Sequence, residues 1–264
     1  IRGIAVAGLG NVAQGSLAGA SLAGLGTVAE GNMTGVHAAG LGIVTQGGLR
    51  GAAAALLGVV AEGSVSGITA AGLGVVSQGR MDGLQAAGLA VVAEGSMTGI
   101  QSAGLAVISQ GDMSGLNVAG VATIAEGDMQ IVNVAGLAVI SQGRMRGLNV
   151  AGLGVIGIEE VTGVSAALGA VESTGTIRGI TAAGYRVRAP NVDGLTAAVG
   201  LMRTDNLRGV SIAGWNDVRG AQVGLTIGIY NSAEVLNGVQ IGLLNRAGNN
   251  PPGLRLLPIL NAHF

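Results

Sequence analysis

The acidic residues that recur most regularly in this chain are four glutamates spaced thirty-two residues apart. Glu30, Glu62, Glu94 and Glu126 each stand immediately before a glycine. A ring of carboxylates at one level of a fold can attract cations, as the charged rings of cation channels do. The same pattern fits solvated turn residues that accept hydrogen bonds from local backbone amides. We interpret the four glutamates as turn residues, with a ring of rim carboxylates as the functional alternative.

Glutamine occupies the equivalent position halfway between successive glutamates. These residues are Gln14, Gln46, Gln78, Gln110 and Gln142. A polar residue that alternates every thirty-two residues within a sixteen-residue repeat predicts a fold with two unlike edges.

Other residues that could carry chemistry do not form recognisable sets. His37 and His263 have no partners at metal-ligand spacing, and His37 occupies a slot that elsewhere holds Asn, Gln or Thr. We therefore expect His37 to have a role on a strand surface. The chain has no cysteine, and two histidines leave little from which to build a nucleophile with its base. The sequence predicts no catalytic, cofactor or metal site and a protein that is not an enzyme.

One column of the repeat is rich in methionine. Because leucine and valine replace methionine at some of its positions, the column predicts a packing plug at a corner of the fold. Its members are Leu17, Met33, Leu49, Val65, Met81, Met97, Met113, Met129 and Met145.

Composition narrows the class of protein. Of 264 residues 51 are glycine, only 10% are charged and 2% are aromatic, while the mean hydropathy is +0.60. No run of about 18 apolar residues occurs, so transmembrane helices are not expected. A net charge of −1 gives no reason to expect a nucleic acid as partner.

The elements that position these residues are repeats of sixteen residues. Glycine columns keep that period to about Gly184, and all four aromatic residues lie after that point. We predict a single all-β repeat domain over 1–264, with regular repeats in 1–184 and divergent repeats with a closing segment in 185–264.

Each repeat has an apolar part and a polar, glycine-bounded part. Frequent glycine argues against helix, and the β-branched residues favour a strand of about ten residues, such as Leu116 to Ala125, followed by a turn. Both faces of that strand are apolar, and one of them holds the positions of Leu105 and Val107. Because neither face is polar, we expect both to be covered by a sheet, another chain or lipid.

Two all-β architectures fit this pattern. The first is an antiparallel meander closed as a membrane β-barrel, with the glutamates at one rim and the glutamines at the other. A ten-residue strand tilted by about 40° spans roughly 25 Å, the height of an outer-membrane apolar band. The alternative is a flattened two-sided β-solenoid with coils of thirty-two residues. We take the barrel as the leading prediction.

The C-terminal segment "GVQIGLLNRAG", from Gly238 to Gly248, and the ending "LLPILNAHF" resemble bacterial surface-repeat proteins with GVQIGLxN-type repeats. The resemblance is best over residues 238–264. It implies an exported, outer-membrane or cell-surface protein without enzymatic activity.

Together these observations predict a non-enzymatic repeat protein of the bacterial outer membrane or cell surface. In the barrel it is structural, or a channel or carrier for apolar cargo, with lipid as its partner. In the solenoid it is a scaffold, adhesin or filament subunit that assembles through apolar sheet faces. Self-association or an envelope protein partner fits either architecture, and no cofactor is expected.

Overall fold

The computed structural model describes residues 1–264 and consists of β-strands joined by short bends. Contacts within the chain divide it into two compact units, Ile1–Gly136 and Leu137–Phe264. The single repeat domain remains a prediction. No helix in the structure has the length and apolar character needed to cross a membrane.

In unit 1 the strands alternate between six or seven residues and four residues. They are β1 Arg2–Ala7, β2 Gly10–Ala13, β3 Leu17–Ala23, β4 Gly26–Ala29, β5 Met33–Ala39, β6 Gly42–Thr45, β7 Leu49–Ala55, β8 Gly58–Ala61, β9 Val65–Ala71, β10 Gly74–Ser77, β11 Met81–Ala87, β12 Ala90–Ala93, β13 Met97–Ala103, β14 Ala106–Ser109, β15 Met113–Ala119, β16 Ala122–Ala125 and β17 Met129–Ala135.

Unit 2 begins with strands that alternate between four and eight residues, and it contains two much longer strands near its end. Its strands are β18 Ala138–Ser141, β19 Arg144–Ala151, β20 Gly154–Gly157, β21 Glu160–Ala167, β22 Ala170–Ser173, β23 Thr176–Ala183, β24 Arg186–Arg188, β25 Asn191–Thr204, β26 Asn206–Ala247 and β27 Leu256–His263.

The strands of each unit pair in parallel, one repeat with the next. Met97 of β13 lies opposite Met113 of β15, and Ala90 of β12 lies opposite Ala106 of β14. In the regular repeats a residue therefore stacks on its counterpart sixteen positions away, which is the arrangement of a β-solenoid. The antiparallel, closed barrel is wrong, because a meander would reverse the chain direction at each repeat.

A coil of the solenoid contains sixteen residues, so the predicted coil of thirty-two residues is also wrong. The backbone changes direction at three places within one coil: inside β13 at Gly99, at 104–105, and at 110–111. Three bends in sixteen residues return the chain to its starting edge. The predicted ten-residue strand is consequently two strands, seven and four residues long.

The bend inside the longer strand depends on glycine. Gly99 has a φ of 110°, and a Cβ placed on it would lie 2.2 Å from the carbonyl oxygen of Gly83 in the preceding coil. The same column contains one exception in unit 1, Ile131, whose φ is 79°. A β-branched residue in this region is strained, because its Cβ crowds its own backbone.

The core of unit 1 is built from stacked columns of identical or similar side chains. Met97 and Met113 are fully buried, and so are Val91 and Val107, while alanines fill the narrower positions. The predicted packing role of the methionine column is confirmed. Stacking one kind of side chain on itself fills each layer of the core in the same way.

A column of polar side chains also lies inside unit 1. Gln101 donates from Nε2 to Oε1 of Gln85 at 3.0 Å, and Asn117 donates from Nδ2 to Oδ1 of Asn133 at 2.9 Å. Hydrogen bonds between neighbouring coils offset the cost of burying these amides.

His37 belongs to this buried column, so the predicted strand-surface role is wrong. Its side chain is 1% exposed, and its Nδ1 lies 2.9 Å from the Oγ of Ser21. Desolvation by burial lowers the pKa of the imidazole below 6.5 and outweighs a hydrogen bond with the backbone of Thr34, which raises it.

In unit 2 the coil becomes shorter and the interior becomes more polar. Thr176 lies opposite Asn191, and Asn191 lies opposite Asn206, so a coil there has fifteen residues. Asn216 donates to Asn231, and Asn231 donates to Asn245, each at 2.7 Å. The last strand, β27, runs antiparallel to the end of β26 and closes this unit.

We expect Ile131→Gly to raise the free energy of unfolding by about 1 kcal/mol in a urea titration. Glycine adopts the positive φ without strain, and the side chain of Ile131 is 58% exposed, so little packing is lost. Ile100→Gly is the matched control, because Ile100 is also exposed but lacks a positive φ. That change should lower the stability, and a loss of stability in both variants would contradict strain at Ile131.

We also expect the stability of the protein to decrease below about pH 6.5 through His37. Its folded-state pKa is lowered, so the unfolded state binds the proton more readily. The contribution of the neutral His37 side chain to the free energy of unfolding is fully present above pH 6.5. It is lost as the pH falls, at up to about 1.4 kcal/mol per pH unit. Urea titrations of the wild type and His37→Thr between pH 7.5 and 5.5 measure this contribution as the difference between the two pH dependences, which corresponds to the binding of at most about one proton on unfolding. Parallel curves for the two proteins would contradict this role of His37.

Candidate functional site

Unit 1 presents an unusually apolar outer surface. Three outward columns, here called the apolar surface, carry large aliphatic side chains that are 38–59% exposed. The columns are Val36, Ile68, Leu84, Ile100 and Leu116; Leu25, Leu41, Leu57, Leu73, Leu89, Leu105 and Val121; and Val28, Val44, Val60 and Val76. Monomeric proteins rarely expose contiguous apolar patches of more than a few hundred Å².

The apolar surface is large enough for a stable interface. Successive coils are about 4.8 Å apart, and a residue advances about 3.3 Å along a strand. About eight coils with four residues on each of two sides, such as 100–103 and 106–109, cover roughly 500 Å² per side and on the order of 1,000 Å² together. The combined area exceeds the roughly 800 Å² per partner of a standard protein interface, so a partner in such an interface contacts both sides of the bend at 104–105.

A shallow groove runs between the first two columns. Small residues line its floor, including Ala38, Ala54, Ala70 and Ala86, and its volume is about 690 Å³. Leucines such as Leu41, Leu57 and Leu73 stand at the neighbouring bend. The apolar surface therefore consists of a ridge of leucines beside a groove of alanines.

The remaining side of each coil is polar. In one coil it carries Glu94, Ser96 and Thr98, and in the next it carries Gln110, Asp112 and Ser114. We call these positions the polar strip. Unit 1 is thus amphipathic around its circumference, because the polar positions lie together between two bends of each coil.

The four glutamates lie at one bend of the polar strip, and all are exposed. The glutamines lie at the same bend, because Gln110 and Glu126 occupy the same position in successive coils. The prediction of two unlike edges is therefore wrong. Successive glutamates are two coils apart, roughly 10 Å. No group of three or more His, Cys, Asp or Glu side chains in the structure could hold a metal ion.

Leu105 and Val107, which the sequence places on one strand face, have different environments. Leu105 is 50% exposed and belongs to the apolar surface, whereas Val107 is fully buried in the core. The bend at 104–105 separates them, because it turns Leu105 outward before the alternation resumes. Only the first residue can contact a partner.

We expect Gln110→Glu to destabilise the protein by about 1–2 kcal/mol at low salt. It places a carboxylate between Glu94 and Glu126, one coil or about 4.8 Å from each, where like charges repel. The triple change E94Q/Q110E/E126Q is the matched control, since its carboxylate at position 110 has glutamine in both neighbouring coils. Urea titrations at low and high salt measure both, and equal stability of the two variants at low salt would contradict repulsion along this column.

Comparison with known proteins does not assign the chain to a family. No family model matches the chain, and neither a curated protein nor a solved structure matches it.

Proposed function

We propose that this protein is a non-enzymatic structural subunit that assembles with further copies of itself through its apolar surface. The observation that carries the proposal is the set of exposed aliphatic columns on unit 1. Removing such side chains from water is favourable by about 25 cal/mol per Å² of apolar area. A face of this size is therefore best explained by a partner that covers it.

A second copy fits the apolar surface because its periodicity is the same. Along the solenoid, both the leucine ridge and the alanine groove repeat once per coil. A partner maintains a ridge-in-groove match over many coils only if its own side chains recur at the same spacing of about 4.8 Å. A further copy of this chain meets that condition and also supplies both the ridge and the groove, as a self-complementary interface requires.

The proposed location is the bacterial cell surface. It rests on the resemblance of residues 238–264 to surface-repeat proteins. In the structure this segment contains the end of β26, where Gly238 to Gly242 pair with His263 to Ile259 of β27. An assembled scaffold or filament at the surface is compatible with a low content of charged residues, because its apolar side chains are buried between subunits.

We expect the wild-type protein to sediment as concentration-dependent oligomers, and L89D/L105D to sediment as a monomer. Both leucines lie on the apolar surface at a bend, where an aspartate alters the surface and not the core. T34D/T98D is the matched control, because it adds the same charge to exposed positions of the polar strip. Sedimentation velocity without detergent is the measurement.

The alternative occupant of the apolar surface is lipid, and flotation with phospholipid vesicles tests it. A wild-type protein that is monomeric at all concentrations and floats with vesicles would contradict self-assembly. Oligomers that persist in L89D/L105D would show that another face is responsible. Retained folding of both variants is checked by their far-ultraviolet circular dichroism.

A further inference from the structure

A polar recess lies in unit 2, at the bend where the coil loses one residue. The two-residue bend Thr174–Gly175 is followed one coil later by the single residue Pro190. The carbonyl oxygen of Pro190 accepts hydrogen bonds from the backbone of Asp205 and from the hydroxyl of Thr204, which fix the shorter bend. The step between the longer and the shorter bend leaves a recess of about 450 Å³.

Three guanidinium groups line this recess, those of Arg188, Arg203 and Arg219. Arg188 and Arg203 occupy directly opposed positions on paired parallel strands. Side chains at such positions start about 5 Å apart, and like charges placed there repel each other unless an anion compensates them.

The acidic residues nearby compensate only part of this charge. Nε of Arg203 donates to Oδ2 of Asp217 at 2.9 Å, and Nε of Arg219 lies 3.8 Å from the same oxygen, so one carboxylate serves two arginines. Glu172, the register partner of Arg188, pairs instead with Arg186.

The side chain of Arg188 forms no ion pair or hydrogen bond in the structure and is exposed. The recess also contains the exposed carboxylate of Asp205. Four arginines and three acidic residues therefore leave a net charge of +1, and the guanidinium of Arg188 and the carboxylate of Asp205 are the two of these groups without an ion pair. The charged residues are Arg186, Arg188, Arg203, Arg219, Glu172, Asp205 and Asp217.

We propose that this recess binds a tetrahedral oxyanion, the phosphate or sulfate group of an ester. Guanidinium groups bind phosphate and carboxylate through paired N–H donors. Arg203 and Arg219 use Nε towards Asp217, which leaves their terminal nitrogens for a ligand, and Arg188 offers its complete donor edge. Three arginines that line one recess match an anion with three or four acceptor oxygens better than a carboxylate with two. This binding activity does not depend on the proposed assembly.

The test is a titration of the full-length protein with inorganic phosphate at constant ionic strength, followed by NMR of the arginine Nε–Hε signals. We expect saturable shifts of the Arg188 signal in the wild type and about tenfold weaker binding in Arg188→Gln, the loss expected for hydrogen bonds to a charged group. Arg188→Lys should bind with intermediate affinity, because it keeps the charge but loses the paired donors.

Arg178→Gln is the matched control. Arg178 is an exposed arginine of the same unit that pairs with Glu160 and Asp193 and does not line the recess. This variant should bind phosphate with wild-type affinity. Equal weakening in R178Q and R188Q, no saturable shift in the wild type, or acetate binding as tight as phosphate would each overturn the proposal.

Vesicles of phosphatidylglycerol distinguish the source of the phosphate. Flotation that R188Q abolishes and that inorganic phosphate competes away assigns a lipid headgroup to the recess. Binding of free phosphate without Arg188-dependent flotation assigns a soluble ester.

Discussion

The structure depends on parallel, in-register stacking, in which each residue packs against its own counterpart in the neighbouring coil. The distance between such counterparts is about 4.8 Å along the whole column. A favourable or unfavourable contact between two side chains is therefore repeated in each coil of the column. Glycine at the bend allows carbonyl oxygens to approach closely, amides form ladders, and charges repel. The alternation of Gln110 with Glu126 doubles the distance between like charges without changing the length of the side chain.

The sequence predicts the sixteen-residue period, the all-β class and the buried methionine column, because these follow from composition and regularity alone. It does not determine the coil, since a sixteen-residue repeat fits one strand and turn of a barrel, half of a large coil or one small coil. The deciding feature is the positive φ of residues such as Gly99, which turns a single strand into two sides. Glycine type alone does not distinguish this conformation from an ordinary turn.

The environments of individual side chains do not follow from strand parity, for the same reason. Leu105 and Val107 share strand parity, but a bend between them sends one outward. His37 and Gln101 are polar residues of types that usually lie at the surface. Both are buried here, because their side chains form hydrogen bonds to the neighbouring coil. Predicting the recess at Arg188 requires the register of the paired strands. The change of glycine spacing from sixteen to fifteen residues between Gly179 and Gly194 does mark the shorter coil in the sequence. Side chains that point outward are not constrained by packing in the core. The residues that can recognise a partner or ligand therefore lie at these positions.

The C-terminal strand β27 has a consequence for growth of the sheet. A solenoid end normally offers a row of unpaired amides and carbonyls, which can template further strands and lead to fibres. Here β27 crosses the end in the antiparallel sense, and Pro258 within it has no N–H to donate. An irregular pairing between Gly242 and Asn245 and the positive φ of Ile259 further distort this edge. The final strand thus leaves an irregular antiparallel edge at this end of unit 2, which disfavours pairing with a further strand.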